Sequence, residues 1–168
     1  MSAPAATPRR RTIGTDPSGR PRACIVGAGF AGLNAAKALR GTPLDVLLVD
    51  RNNYHKFQPL LYEVAMAGLE PDDIAHNVRD ILRGAENLRF RMDEIAGIDL
   101  ERDELKTRSG TELSYDYLLL ATGGVTSYFG VEGAEEHAFP LKNVPDAVDL
   151  RTHVLRRFEA HDRNPEEA

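Results

Sequence analysis

Gly27, Gly29, Gly32 and Asp50 are the residues of this chain whose types and spacing could do chemistry. The first three form a G-x-G-x-x-G turn within Ala23-Cys24-Ile25-Val26-Gly27-Ala28-Gly29-Phe30-Ala31-Gly32-Leu33. In such a turn Gly27 makes the tight strand-to-helix reversal, Gly29 lets the backbone approach a pyrophosphate, and Gly32 packs helix against strand. The phosphates would lie where the helix begins, near Phe30 and Ala31, against unpaired N–H groups and the positive end of the helix dipole. Asp50 follows 18 residues after Gly32, placed to accept hydrogen bonds from an adenosine ribose. An acid at this point favours FAD or NAD over NADP. The bland alternative is an unliganded βαβ unit in which Asp50 is a strand-end turn residue.

Positioning these residues requires two parallel strands and a helix. Residues 23–26 and 45–50 are short β-type runs, and Leu33, Ala35, Ala36, Ala38 and Leu39 supply a small-residue helix that can lie close on a sheet. Further along, residues 72–83 read as one helix with Ile74, Val78, Ile81 and Leu82 on a face. Strand signals at 88–92, 95–100, 105–108 and Leu113, with turns at 101–104 and 109–110, predict an antiparallel meander inserted into the parallel sheet. Residues 115–124 run as an apolar strand without alternation into small residues, the pattern of a strand buried on both faces at the centre of a parallel sheet. The fold expected is α/β: a Rossmann-like parallel sheet with an inserted β-meander, of the FAD/NAD(P)-binding type.

Composition limits the rest. The 168 residues suit one domain with tails, and a net charge of −5 argues against a nucleic-acid surface. Cys24 is the single cysteine and lies in the first strand, so neither a disulfide framework nor a zinc cluster can form, and a reducing cytoplasmic setting fits. No metal site is expected. Residues 1–21, with four prolines and Arg9-Arg10-Arg11, read as a disordered tail. No run approaches the length of a membrane span. The segment 51–69 fits no simple period and reads as a buried crossing or a ligand loop, ending in a helical turn closed by Gly68.

The glycine turn, the stretch Val49-Asp50-Arg51-Asn52-Asn53-Tyr54-His55-Lys56-Phe57-Gln58-Pro59-Leu60-Leu61-Tyr62-Glu63-Val64-Ala65, and Tyr115-Asp116-Tyr117-Leu118-Leu119-Leu120-Ala121-Thr122-Gly123 together resemble the type II, non-proton-pumping NADH:quinone oxidoreductases. The resemblance covers about residues 22–160 and departs from the family pattern at Lys56, Met66 and Asn77. It implies that Gly27, Gly29, Phe30, Ala31 and Gly32 hold the FAD pyrophosphate and Asp50, followed by Arg51, the adenosine ribose. It implies also that Glu94 and Ile95 meet the adenine, that Ala121, Thr122 and Gly123 form a second FAD-contacting turn, and that Gln58, Pro59 and Leu60 pass near the flavin ring and the quinone side.

The activity implied is hydride transfer from NADH to flavin, then electron delivery to quinone, with the cofactor carrying the chemistry. No catalytic residue is assigned. His55 and Glu63 could relay a proton, but a structural role is the preferred reading. The resemblance divides the chain into a tail (1–21), an incomplete FAD-binding domain (22–145) and a helix (146–168) leading toward an NADH-binding domain that the 168 residues lack. That helix, with Ala147, Leu150, Val154, Leu155 and Phe158 at helical spacing, is expected to expose an apolar stripe. The implied enzyme is cytoplasmic or peripheral on the cytoplasmic membrane face through a later C-terminal segment, and compatible with a homodimer. The chain alone is expected to be inactive. Two other readings stay open: a non-catalytic truncated dinucleotide-binding module, and a related pyridine nucleotide-disulfide-type flavoprotein. Sulfide:quinone chemistry, which needs paired redox cysteines, is beyond Cys24 alone.

Overall fold

A computed structural model of the chain describes residues 19–163. In chain order its elements are β1 (Arg22–Val26), α1 (Phe30–Ala38), β2 (Asp45–Asp50), β3 (Tyr54–Lys56), a 3-10 turn (Gln58–Leu60), α2 (Leu61–Ala65), α3 (Pro71–Ile74), β4 (Ala75–Asn77) and α4 (Val78–Ile81). There follow β5 (Leu88–Met92), β6 (Ile95–Asp99), β7 (Glu104–Thr107), β8 (Glu112–Ser114), β9 (Tyr117–Leu120), α5 (Ala134–His137) and α6 (Val144–Arg163). The predicted tail falls on residues 1–18, outside those described, and on 19–21, which form no regular element.

Two compact units are built from alternating stretches, one from the chain up to Asn52 with Gly84–Ala121, the other from Asn53–Arg83 with the residues from Thr122 on. The first unit contains a parallel sheet of order β5-β2-β1-β9 and a separate antiparallel sheet of order β6-β7-β8. Helix α1 contacts β1 and β2. Cys24, Val26, Leu47 and Val49 pack against Leu105, Leu113 and Tyr115 of the meander and the residue leading into β9, with Ile95 and Leu118 beside them. By strand alternation, Ile25, Val46 and Leu48 point to the opposite face, and all three are at most 1% exposed. Strands β1 and β2 are therefore buried on both faces, which is why both read as continuous apolar runs. The fold is Rossmann-like, and the predicted meander is present as a sheet of its own, β6-β7-β8, between β5 and β9; residues 88–92, counted with its strands from sequence, are instead β5, which pairs in parallel with β2.

Strand β9 corrects one expectation. It pairs with β1 on one side and, among the described residues, has no strand on the other, so it is an edge strand. Tyr117, Leu119 and Leu120 are exposed. An apolar run reports that a strand is suited to burial but not how many neighbours it has.

The N-terminal ends of the strands are held by a charged clamp that sequence reading did not identify. Asp45, 4% exposed, accepts from Arg22 Nε at 2.8 Å and from Arg89 Nη2 at 2.6 Å. Asp116 accepts from the Arg22 backbone N–H at 2.7 Å. Asn87 folds the loop after α1: its side-chain amide donates to the carbonyls of Leu39, Thr42 and Leu44, and its carbonyl accepts from Gly41 N–H.

In the second unit, Leu61, Val64, Ala65 and Ile74 form a core with Ala147 of α6. Arg151 of α6 reaches Glu70 with two bonds of 3.1 Å, and Lys56 Nζ donates to Asn143 Oδ1 at 3.1 Å. The single helix expected over 72–83 is instead α3, β4 and α4. Glu70 and Asp73 form a capping box on α3, and Asn77 caps α4 by accepting from Arg79 N–H, so each short helix has its own start signal. The intervening residues pair with β3. Helix α2 closes on Ala67 at φ 60°, the residue before the glycine expected, with Gly68 N–H donating to Glu63 O at 2.8 Å in the long bond of a helix C-cap. Helix α6 exposes only Leu155 and Phe158 of the stripe expected from spacing; Ala147 is buried, Leu150 packs against the same core and Val154 is half-buried, because that face of the helix lies on α2.

Candidate functional site

In the first unit the sequence-predicted residues converge at the carboxyl ends of the parallel strands. Gly27 follows β1 at φ 105°, in the region that glycine alone enters without strain, and its N–H donates to Val49 O at 2.7 Å. Gly29 is the extended N-cap of α1 and has no side chain to cap it, and the first turn carries no acid. Gly29, Phe30 and Ala31 are exposed, so the helix start faces solvent with amides that lack intrahelical acceptors. Gly32 is buried in α1, and a Cβ there would lie 1.8 Å from Gly27 O and 3.3 Å from the Ala121 Cβ. The close helix-to-turn approach that the third glycine was expected to permit is thus the geometry found.

Asp50 ends β2, half-buried. Its Oδ2 accepts from Ala28 N–H at 2.6 Å and its Oδ1 from Asn52 N–H at 2.8 Å. The carboxylate therefore ties the glycine turn to the turn after β2, and each oxygen retains further acceptor capacity for a diol. Arg51 beside it is exposed. Ala121 joins the group through its N–H, which donates to Val26 O at 2.8 Å.

Glu94 and Ile95 lie just past β5, connected to Asp50 through the Asp93 N–H, which donates to Asp50 O at 2.9 Å. Glu94 is half-buried and accepts from Arg108 Nη1 at 2.9 Å. A hydroxyl and guanidinium network fixes this corner. Ser109 Oγ donates to Asp93 Oδ2 at 2.6 Å, Arg91 Nε donates to the same oxygen at 3.1 Å, and Glu94 N–H donates to Asp93 Oδ1 at 3.0 Å. The Ser109 bond, helped by those from Arg91 and Glu94, holds the Asp93 carboxyl down at about 2. Nothing in the local sequence marks Asp93 for this role, because the partner with the largest effect, Ser109, comes from the β7–β8 turn.

Gln58, Pro59 and Leu60 belong to the second unit, as do Thr122 and Gly123. Gln58 and Leu60 are half-buried in the 3-10 turn and Pro59 is exposed. Thr122 and Gly123 are exposed, and Gly123 has φ 70°.

Burial pushes the Cys24 thiol up to about 11, with Arg22 only partly opposing it, so the thiol stays protonated in the core. Among the described residues no three His, Cys, Asp or Glu side chains are grouped to hold a metal ion. None of the described helices is long and apolar enough to cross a membrane.

Residues 21–161 match the family model described as pyridine nucleotide-disulphide oxidoreductase. The chain is 41% identical over 145 residues to the type II NADH:quinone oxidoreductase NdhA of Mycobacterium tuberculosis, covering 84% of this chain and 31% of that protein. Among solved structures it resembles NDH2 from Plasmodium falciparum with a TM-score of 0.78 at 24% identity, covering 89% of this chain and 31% of that one, a likeness of fold. The sulfide:quinone oxidoreductase of Aquifex aeolicus superposes with a TM-score of 0.73 at 26% identity, covering 86% of this chain and 33% of that one. The chain spans about a third of the length of the curated relatives it matches.

Proposed function

Because this chain belongs to the pyridine nucleotide-disulphide oxidoreductase family, we propose that it is the FAD-binding portion of a type II NADH:quinone oxidoreductase. The observation that carries the proposal is the cradle at the end of β1: an uncapped helix start facing solvent, a glycine where any Cβ would strike Gly27 O, and a strand-end carboxylate beside them. These features fit a dinucleotide.

The exposed amides of the α1 start and the positive end of its dipole would hold the pyrophosphate. Asp50 would accept from the ribose hydroxyls while keeping its bonds to Ala28 and Asn52. The backbone of Glu94 and Ile95, held by the Asp93 network, would meet the adenine. Ala121, Thr122 and Gly123 would form a second contact turn, and Gln58, Pro59 and Leu60 would contribute on the flavin side. When bound, FAD supplies the two-electron chemistry that links NADH to quinone. The work of this chain's residues is to bind and orient it. On this reading residues 22–145 are the FAD module, α6 leads toward the NADH-binding part of a longer enzyme, and membrane attachment, where it occurs, is peripheral.

A titration of the purified chain with FAD tests this. Expected is saturable binding at one FAD per chain with perturbed flavin absorbance and fluorescence, weakened by Asp50→Ala. A folded chain that leaves the flavin spectrum unchanged at saturating FAD would overturn it.

A further inference from the structure

We propose that His55 and His76 form a two-imidazole chelate for a divalent transition-metal ion of the imidazole-preferring class, Zn2+, Ni2+ or Cu2+. Both residues belong to the second unit, and the inference is independent of the FAD site. The argument rests on strand register. Strands β3 and β4 are antiparallel with His55 directly opposite His76, so the two side chains leave the ribbon on the same face.

Hydrogen-bond phase fixes the type of pair. Phe57 N–H donates to Ile74 O at 2.7 Å, and Val78 N–H donates to Asn53 O at 2.9 Å. These bonded positions lie two residues to either side of the histidines, and bonded and non-bonded pairs alternate along an antiparallel ladder. The His55 and His76 positions are therefore a hydrogen-bonded pair, with Cα atoms about 5.5 Å apart. Imidazoles springing from such neighbours can each turn one nitrogen to a shared ion, since nitrogens bound at about 2.0–2.1 Å converge closely on it. A ligating histidine ordinarily gives its second ring nitrogen to a protein partner.

The surroundings favour access and rigidity. His76 is exposed and His55 half-buried. The bonds at 57 and 74 and at 53 and 78 brace the ribbon on both sides of the pair, and α3 and α4, each with its own cap, flank β4. Tyr54, Lys56, Ala75 and Asn77 occupy the intervening positions and so the other face, where Lys56 Nζ is engaged by Asn143 and the Asn77 side chain by Arg79 N–H. The protein supplies two ligands and water completes the shell. Imidazole nitrogen donors select transition ions over Mg2+ or Ca2+. An ion held here ties β3 to β4 immediately before the Gln58–Leu60 turn.

The experiment is a calorimetric titration of the 168-residue chain with Ni2+ at mildly alkaline pH, repeated on His55→Gln, His76→Gln and the double variant. Expected is one Ni2+ per chain for the parent, with affinity falling in either single variant to that of the double variant, and no response to Mg2+. In parallel, paramagnetic Ni2+ should broaden the His55 and His76 ring signals of the unaltered chain before those of His137, His153 and His161. Equal Ni2+ affinity in the parent and double variant, full affinity in either single variant, or broadening that begins at another histidine would overturn the proposal. The broadening measurement decides the matter should a variant fail to fold.

Discussion

Gly32 shows how much a single absent side chain can specify. Its position in α1 leaves no volume for a methyl group, since the added carbon would lie 1.8 Å from a backbone oxygen that cannot swing away. Gly32→Ala is expected to push α1 off the turn and to destabilise the chain by about 1–3 kcal/mol, the cost of overpacking a filled site. Urea unfolding monitored by circular dichroism measures this, and the same variant should bind FAD more weakly. Gly29 behaves differently: a Cβ there meets nothing within 4 Å, so packing within the fold does not require its smallness. Tyr115 offers a contrasting test. Its hydroxyl is buried without a hydrogen-bond partner among the described residues, and burial raises its pKa. Tyr115→Phe removes a desolvated polar atom while keeping the ring that packs against Cys24 and Val26. Thermal unfolding of that variant should show unchanged or higher stability, by up to about 1–3 kcal/mol.

Among the elements, the meander both covers the sheet and steadies one corner of the candidate site. Leu105 and Leu113 close the core over β1 and β2, while Ser109 in the β7–β8 turn donates to Asp93 at the end of β5. Because the folded-state carboxyl of Asp93 lies at about 2 against an ordinary 3.8, the ionised form favours the folded state. Its contribution is fully present above the ordinary value and is lost as pH falls from 3.8 toward about 2. Comparing acid unfolding of the parent with Asp93→Asn should show a shallower loss of stability across that window in the variant. Identical acid limbs would remove the Ser109 and Arg91 bonds from the account. Helix α1 was legible because its small residues and glycine turn are local signals. The division of 72–83 was not, since Asn77 as a cap and residues 75–77 as a strand depend on a partner strand about 20 residues earlier.

For the molecule as a whole, charge and fingerprint count set the expectations. A net charge of −5 opposes a nucleic-acid partner, and the 168 residues carry one G-x-G-x-x-G. A chain saturated with FAD should accordingly show no second dinucleotide site in a titration with NADH, and no NADH-dependent quinone reduction. Turnover by the 168-residue chain alone would refute the proposed division of labour with a separate NADH-binding part.

The sequence by itself determined the βαβ cradle, the terminal acid of β2, the three-strand meander and the amphipathic α6, because glycine geometry, strand alternation and helical spacing act between residues close in the chain. Tertiary structure alone decided that β9 has one strand neighbour among the described residues, that Asp45 is clamped by Arg22 and Arg89, that Asp93 is held by Ser109, and that His55 faces His76. Each of these depends on which distant segments become neighbours, and side chains far apart in the chain acquire partners only when the fold brings their strands into register.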